Sequence, residues 1–340
     1  MSTEGVEDPV GYYLEDMSFH GRSERTRDAY ERVLREFEAF LETRGSEPAD
    51  ADHRACLAYV HRLRERDVAD STVATYASYL HRFYAYMAQI GALEENPMTL
   101  VMEELEESVE RNPTRREIPL SAMRAFLDDI AHPLDHAVVV TLLKTGVRAG
   151  ELCNLDLRDL SLPDTGPERA QLAERGDALY VDSEPAVGEE TNGEVRTASN
   201  KRKRETVIPV DDELAAALRR WLAVRPDPRS DADPLFVSTR EWGKRLTPDA
   251  LGRIVRDHAE DAGWHRSGAG AAENVTPHYF RHYFTTHLRD QTGERGVVKY
   301  IRGDVADDII DTYTHNWGNR VREVYEANIY SLSGRSAPNS

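Results

Sequence analysis

The chain has 340 residues, with 43 Lys and Arg against 61 Asp and Glu, a formal net charge of −18 and 40% hydrophobic residues. That length exceeds what a single hydrophobic core usually serves and predicts two domains; the absence of any run of roughly 18 apolar residues excludes a membrane span, and the apolar content excludes a wholly disordered chain. The opening MSTEGVEDPV lacks a basic segment followed by an apolar one, and Cys56 and Cys153 are the only cysteines, so the expectation is a reducing cytoplasm and no disulfide framework.

From Thr26, the apolar residues Tyr30, Val33, Leu34, Phe37, Phe40 and Leu41 recur at three- and four-residue spacing, one face of a helix that stops near Gly45. A second helix opens at Asp52 with Leu57, Val60 and Leu63 inward. A third opens at Asp70 or Ser71 with Val73, Tyr76, Leu80, Phe83, Tyr84 and Met87 inward, and Gly91 and Asn96-Pro97 end it. An acidic helical stretch from Met98 to Glu110 completes a small all-α bundle over residues 15–110. The segment Arg111-Asn-Pro-Thr-Arg-Arg116 then breaks the periodicity and is read as an exposed basic linker, 111–118.

The second domain, 119–330, begins with helices at Ser121, Leu134 to Thr145 and Val147 to Leu155. Between Pro163 and Asn200 the pattern dissolves, apart from a strand at Ala178–Asp182. A second strand, Thr206–Val210, follows the basic run Lys201-Arg-Lys-Arg204, so the two form a hairpin with a lengthened acidic connection. Helices resume at Asp211–Val224, Pro248–Ala262, Pro277–Asp290 and from Asp307, and residues 331–340 are expected to be a disordered tail. The fold class is therefore mainly α with a small β-sheet, α+β.

Four stretches carry chemistry. In Thr276-Pro-His-Tyr-Phe-Arg281, Thr276 fits an N-cap, so His278 lies in the first helical turn with Arg281 three residues on, where free N–H groups and the helix dipole already suit a phosphate. In Thr145-Gly-Val-Arg-Ala-Gly-Glu-Leu152, Glu151 stands three residues after Arg148 and can hold its guanidinium while the outer edge faces a ligand. The run Lys201–Arg204 and the segment Asp311-Thr-Tyr-Thr-His315 complete the set. Taken singly, each has a plainer reading: a surface pair, a helix ion pair, a solvated turn, a packing tyrosine.

Their order resembles the tyrosine recombinase (phage integrase, Xer) family: Arg in TGVRAGEL, Lys in a hairpin ending Ile208-Pro209-Val210, His-x-x-Arg in HYFRHYFTTHL and Tyr in TYTH. The likeness extends to the first domain and covers roughly residues 20 to 328. It implies a helical SAM-like core-binding domain joined to a recombinase catalytic domain in a C-shaped DNA clamp. It further implies that Tyr313 attacks a DNA phosphodiester, that Arg148 and Arg281 grip its non-bridging oxygens, that Lys201 or Lys203 protonates the leaving oxygen, and that His278 assists proton transfer. Glu151 would orient Arg148, with no metal and no cofactor.

The partner implied is double-stranded DNA, bound by a homotetramer on two sites that is a monomer or weak dimer when free. The segment Val321–Tyr330 would dock on a neighbour or pack at home. Arg111, Arg115 and Arg116, with Arg202, Lys203 and Arg204, are the expected backbone contacts. The family's Gly-His pair nine residues before the nucleophile is here Arg302-Gly-Asp304. An ionised aspartate cannot donate a hydrogen bond to phosphate, so Asp304 is protonated, or positions another group, or leaves the place to His315 or Trp317. The alternatives to a recombinase are a DNA-binding protein that has lost turnover at Asp304 and a relaxing topoisomerase of the type IB kind.

The charge distribution pulls the other way. Residues 1–110 hold 11 Lys and Arg against 24 Asp and Glu, whereas DNA affinity rests on cations that neutralise phosphates. Carboxylate excess with only five lysines points to a halophilic chain kept soluble in concentrated salt, an ordinary acidic surface being the alternative. Near molar salt the screening length falls to about 3 Å, and binding would rest on short-range pairs.

Overall fold

The computed structural model describes residues 8–20, 22, 24–66, 68, 70–108, 116–165, 168–267, 269, 273–304 and 317–333. Among these, thirteen α-helices and five short strands fall into two compact units, one drawn from Met1–Arg115 with Ser267–Ala272, the other from Arg116–Arg266 with Glu273–Ser340.

The first unit is helical: α1 (Pro9–Phe19), α2 (Glu24–Glu42), α3 (His53–Glu65), α4 (Asp70–Gln89) and α5 (Thr99–Ser108). The periodic stripe of α2 is buried, and Leu34, Phe37 and Leu41 pack with Tyr59, Val60 and Leu63 of α3 and Leu80, Phe83 and Tyr84 of α4. Asp52 caps α3 by accepting the Ala55 N–H at 2.8 Å, which satisfies one of the orphan donors of the first turn. Helix α1 lies mostly ahead of the expected start at 15 and belongs to the same core through Val10, Tyr13 and Met17. Its signal was short: Pro9 at the first position and Asp8 as cap, accepting from Gly11 N–H at 2.9 Å and from Arg35 at 2.7 and 2.8 Å.

The second unit contains α6 (Leu120–Asp128), α7 (Pro133–Thr145), α8 (Ala149–Asn154), α9 (Asp212–Leu222), α10 (Pro248–Asp261), α11 (Pro277–Thr292), α12 (Arg295–Arg302) and α13 (Trp317–Asn328). Its strands are β1 (Leu160–Ser161), β2 (Ala178–Val181), β3 (Glu190–Thr191), β4 (Glu194–Val195) and β5 (Thr206–Pro209). Every residue of α7 from Ala137 to Thr145 is buried, the mark of a helix surrounded on all sides, and α9 and α11 pack against it. Strands β1, β2 and β5 form an antiparallel sheet in that order, with Leu179 opposite both Leu160 and Ile208.

The long connection between β2 and β5 carries no periodic pattern in sequence, yet it is ordered. It folds into the hairpin β3–β4, turned at Asn192-Gly193 with φ of 56° and 76°, the positive pair that an Asn-Gly turn supplies. Buried Asp156 stakes the hairpin down, accepting from Arg196 at 2.8 and 3.1 Å, Arg245 at 2.6 Å and Asn192 at 2.9 Å. Helix α12 was also unforeseen; Val297, Val298 and Ile301 face the core, and the element is short enough for its periodicity to escape notice.

The segment Val321–Tyr330 packs at home. Val321, Val324 and Tyr325 are buried in their own unit, Tyr325 Oη donates to Lys144 O at 2.9 Å, and Tyr330 Oη donates to Leu143 O at 2.5 Å. Lys144, wholly buried, pairs with Asp211 and Glu213 at 2.6 Å each and donates to Tyr330 O at 2.7 Å. Nor does a loose tail begin at 331: Glu213 accepts the N–H groups of Leu332 and Ser333 at 2.7 and 2.9 Å, and Leu332 is buried. Residues 334–340 lie outside the described residues.

Burial pushes the Glu213 carboxyl up, but the bonds from Leu332 N–H, Lys144 and Ser333 outweigh it and hold it down to about 2, below its ordinary 4.5. A carboxyl depressed on folding stabilises the fold above its unfolded pKa, and that contribution is lost as pH falls through the folded value. Glu213→Gln is expected to cost about 2 kcal/mol at neutral pH. The gap to the unmutated chain should shrink as pH falls from 4.5 toward 2. Urea denaturation across that range measures it, and a pH-independent gap refutes the assignment.

Candidate active site

The site is assembled from the ends of three helices. Helix α7 ends at Gly146, whose φ of 62° suits glycine and whose missing side chain matters as much: a Cβ there would meet Phe284 Cδ1 of α11 at 2.4 Å. Two residues later Arg148 leads into α8. Its N–H donates to Glu151 Oε2 at 2.9 Å and its Nη1 to Glu151 Oε1 at 2.8 Å. From the first turns of α11, Arg281 reaches back, only 2% exposed, and donates from Nη1 to Gly146 O at 2.6 Å and from Nη2 to Arg302 O at 2.9 Å.

The third end is that of α12. Gly303, φ 70°, donates its N–H to Tyr300 O at 2.8 Å, and Asp304 donates its own to Lys299 O at 3.0 Å, the double closure that reverses a chain at a helix terminus. The reversal delivers the Asp304 side chain to the arginines. Oδ1 accepts from Arg148 Nη2 at 2.7 Å; Oδ2 accepts from Arg281 Nη2 at 3.1 Å and pairs with Arg302 Nη2 at 2.8 Å.

The electrostatics follow from burial and pairing. Burial alone would raise the Glu151 carboxyl, but Arg202 and Arg148 hold it below the ordinary carboxylate range. Burial would likewise raise Asp304, and the Arg148 hydrogen bond with the charges of Arg281 and Arg302 lowers it. Arg281 is pulled down to about 10 by burial and then by the charge of Arg148. At neutral pH the site is thus four guanidiniums, those of Arg148, Arg202, Arg281 and Arg302, around two carboxylates, Glu151 and Asp304, with a net positive field in a partly dry setting. Among the described residues no group of three or more His, Cys, Asp or Glu is placed to hold a metal ion.

The structure brings together Arg148, Glu151, Arg281 and Asp304. Lys201 and Lys203 are exposed on the segment entering β5, and the Lys203 N–H reaches Gly303 O at 3.4 Å, so this segment borders the Arg302–Asp304 reversal. His278 is exposed in the first turn of α11, Arg204 lies over the Tyr300 ring at 5.1 Å, and Arg116 donates to Gly263 O at 3.2 Å. Tyr313, His315, Arg111 and Arg115 lie outside the described residues, as does the side chain of Trp317.

Two expectations change. Arg202 is not an exposed DNA contact: its side chain is fully buried, its Nη2 stands 3.2 Å from Glu151 Oε2, and its Nη1 donates to Ile301 O at 3.1 Å. In a run of four cations, one turned inward because a buried carboxylate needed a second partner. Of the three alternatives for Asp304, protonation is the one that drops out, since the guanidiniums of Arg148, Arg281 and Arg302 hold its carboxyl below the ordinary carboxylate range. Arg302 was not singled out at all; its signal was its place as the last helical residue before Gly303.

Comparisons with known proteins agree with this architecture. Residues 11–91 match the N-terminal SAM-like domain of phage integrases, and residues 189–320 match the phage integrase family itself. The tyrosine recombinase XerC of Pelobacter propionicus is 25% identical over 89% of both chains, and XerD of Caulobacter vibrioides is 26% identical over 92% of this chain and 93% of its own. The crystal structure of a lambda integrase dimer bound to a COC′ core site superposes with a TM-score of 0.63 at 13% identity, covering 90% of this chain and 97% of that one. This chain belongs to the tyrosine recombinase, or phage integrase, family and is Xer-like, with a SAM-like N-terminal domain and an integrase catalytic domain.

Removing one partner of a buried pair strands the other charge, at a cost of about 3 kcal/mol or more. Arg202→Gln is expected to lose that much in urea denaturation, while Lys203→Gln stays within about 0.5 kcal/mol of the unmutated chain. Equal effects at the two positions would contradict the inward placement of Arg202.

Proposed function

We propose that this protein is a site-specific DNA recombinase or integrase that cuts and rejoins strands through a 3′-phosphotyrosyl intermediate at Tyr313. The observation that carries the reading is the convergence of the Arg148 and Arg281 guanidiniums on a single anion position at the end of three helices. Two fixed guanidiniums there supply positive charge where a phosphodiester under attack gathers negative charge. The Tyr313 oxygen attacks phosphorus and gives up its proton to His278, the bond from phosphorus to the 5′ oxygen breaks, and that oxygen takes a proton from Lys201, with Lys203 as the alternative donor. A phenol of pKa about 10 is only about a thousandth ionised near pH 7, a deficit of roughly 4 kcal/mol that the cationic surroundings offset. Because the phosphotyrosine stores the bond energy, a 5′-hydroxyl from a second duplex can reverse the step.

The partner is double-stranded DNA, with Arg111, Arg115, Arg116, Lys203 and Arg204 meeting its backbone and a homotetramer forming on two sites. Lambda integrase supports this, having been crystallised as a dimer on a core site and as a tetramer on a Holliday junction. One observation favours a second reading: Asp304 is ionised and cannot donate to a phosphate, as a chain that binds DNA without turnover would tolerate.

Incubation with native DNA followed by denaturing electrophoresis separates the two. A covalent protein–DNA adduct is expected, with Tyr313→Phe abolishing it; no adduct from the unmutated chain would leave the binding-only reading. Joining of strands from two duplexes then distinguishes a recombinase from a relaxing topoisomerase.

A further inference from the structure

Asp304 presents two oxygens to the site, and guanidinium nitrogens engage both, Arg148 at Oδ1 and Arg281 and Arg302 at Oδ2. Arg148 is already fixed from behind, its Nη1 on Glu151 at 2.8 Å. Arg281 is fixed by two carbonyls, Gly146 at 2.6 Å and Arg302 at 2.9 Å. Neither guanidinium needs Asp304 to hold its place. What Asp304 occupies is the remaining edge of each, the edge a ligand would use. The side-chain exposures agree: that of Arg281 is 3%, whereas those of Arg148, Arg302 and Asp304 are 30%, 33% and 34%. The carboxylate therefore sits at the open lip of an otherwise closed cradle.

We infer that the Asp304 carboxylate is an internal stand-in for a phosphodiester, and that Arg302 is the third guanidinium of the phosphate cradle beside Arg148 and Arg281. A carboxylate and a phosphodiester each spread one negative charge over two oxygens of comparable spacing, so the donors that hold one suit the other. Arg302 does double duty in this arrangement. Its carbonyl braces Arg281, while its own Nη2 lies 2.8 Å from the same Asp304 oxygen that Arg281 reaches. A phosphate that enters must displace the carboxylate. Binding is then weakened by the fraction of molecules in which Asp304 is seated, and the cradle it vacates has one more unpaired positive charge.

The inference rests on the reading of this site as a phosphate site, yet its test needs no strand cleavage. Inorganic phosphate is the probe, titrated calorimetrically at low ionic strength into the full chain and into Asp304→Asn and Asp304→Ala. Removing an internal competitor should tighten phosphate binding by about tenfold or more in both variants. Adding Arg302→Gln to either should reverse most of that gain. Phosphate affinity that stays the same or weakens when Asp304 is replaced would make it a brace for the arginines and overturn the proposal. So would an unaltered gain after Arg302→Gln. Should either variant fail to fold, a crystal of the unmutated chain grown in phosphate decides. An anion bound by Arg148, Arg281 and Arg302, with Asp304 turned aside, supports the inference, and Asp304 still seated overturns it. A failed adduct assay at Tyr313 alongside tightened phosphate binding would sink the recombinase reading and leave this one standing.

Discussion

Glu151 carries a carboxylate with no exposure to solvent, and a charge so placed is tolerable only when its oxygens are occupied by partners of opposite sign. Arg148 reaches both oxygens, Oε2 by its own N–H and Oε1 by Nη1, and Arg202 shares Oε2. That arrangement orders the rest. Arg148 is turned so that its second nitrogen faces outward, Arg202 is drawn under the strand-entry segment, and the aliphatic part of Arg202 lies where Gly303 must be bare. A Cβ at 303 would fall 2.8 Å from Arg202 Cγ. The reversal that presents Asp304 thus depends on the same carboxylate that orients Arg148.

Periodicity exposed the elements whose burial is one-sided. The stripe of α2, the Asp52 cap of α3 and the apolar face of α4 follow from residues spaced at three and four. The same reasoning was blind to elements too short to show a period, α1 and α12, and to the Asn192-Gly193 hairpin, whose strands are two residues each. At the site, motif order brought Arg148, Glu151, Arg281 and Asp304 to attention from regions of the chain far apart. It did not reveal the division of labour within Lys201–Arg204. Four adjacent cations look alike in sequence, and only the packing against Glu151 and Ile301 tells Arg202 from its neighbours. Asp304 was seen as a missing donor. Its role as an acceptor from three arginines depends on Gly303 closing α12 at that residue, which spacing alone does not encode.

The acidity of the chain and the chemistry of the site are reconciled by where the charges lie. The net charge of −18 is carried mostly by residues 1–110, whereas the arginines of the site are gathered in the second unit and paired or braced individually. Pairs at hydrogen-bond distance and largely out of water lose little to ionic screening, while the long-range repulsion of a carboxylate-rich surface is screened readily. A site built from such pairs keeps its geometry across a wide range of salt, whatever the field of the surface around it.

The staking of the β3–β4 excursion bears on how the exposed lysines can move. Asn192 at the tip is tied to Asp156 and to Ala232 O at 2.9 and 3.0 Å, Arg196 on the return is locked into the same carboxylate, and Asn200 is held by Asn154 at 2.9 Å and by its own bond to Asp182 O at 2.8 Å. The excursion behaves as a bracket bolted at several points, not as a hinged flap. Between Asn200 and the start of β5 the backbone is pinned again, by Arg202 on Glu151 and Ile301 O and by the Lys203 N–H on Gly303 O. A lysine reaching toward the cradle from there turns side-chain bonds, a motion with a small entropic toll and a short clock, and carries none of the acidic excursion with it.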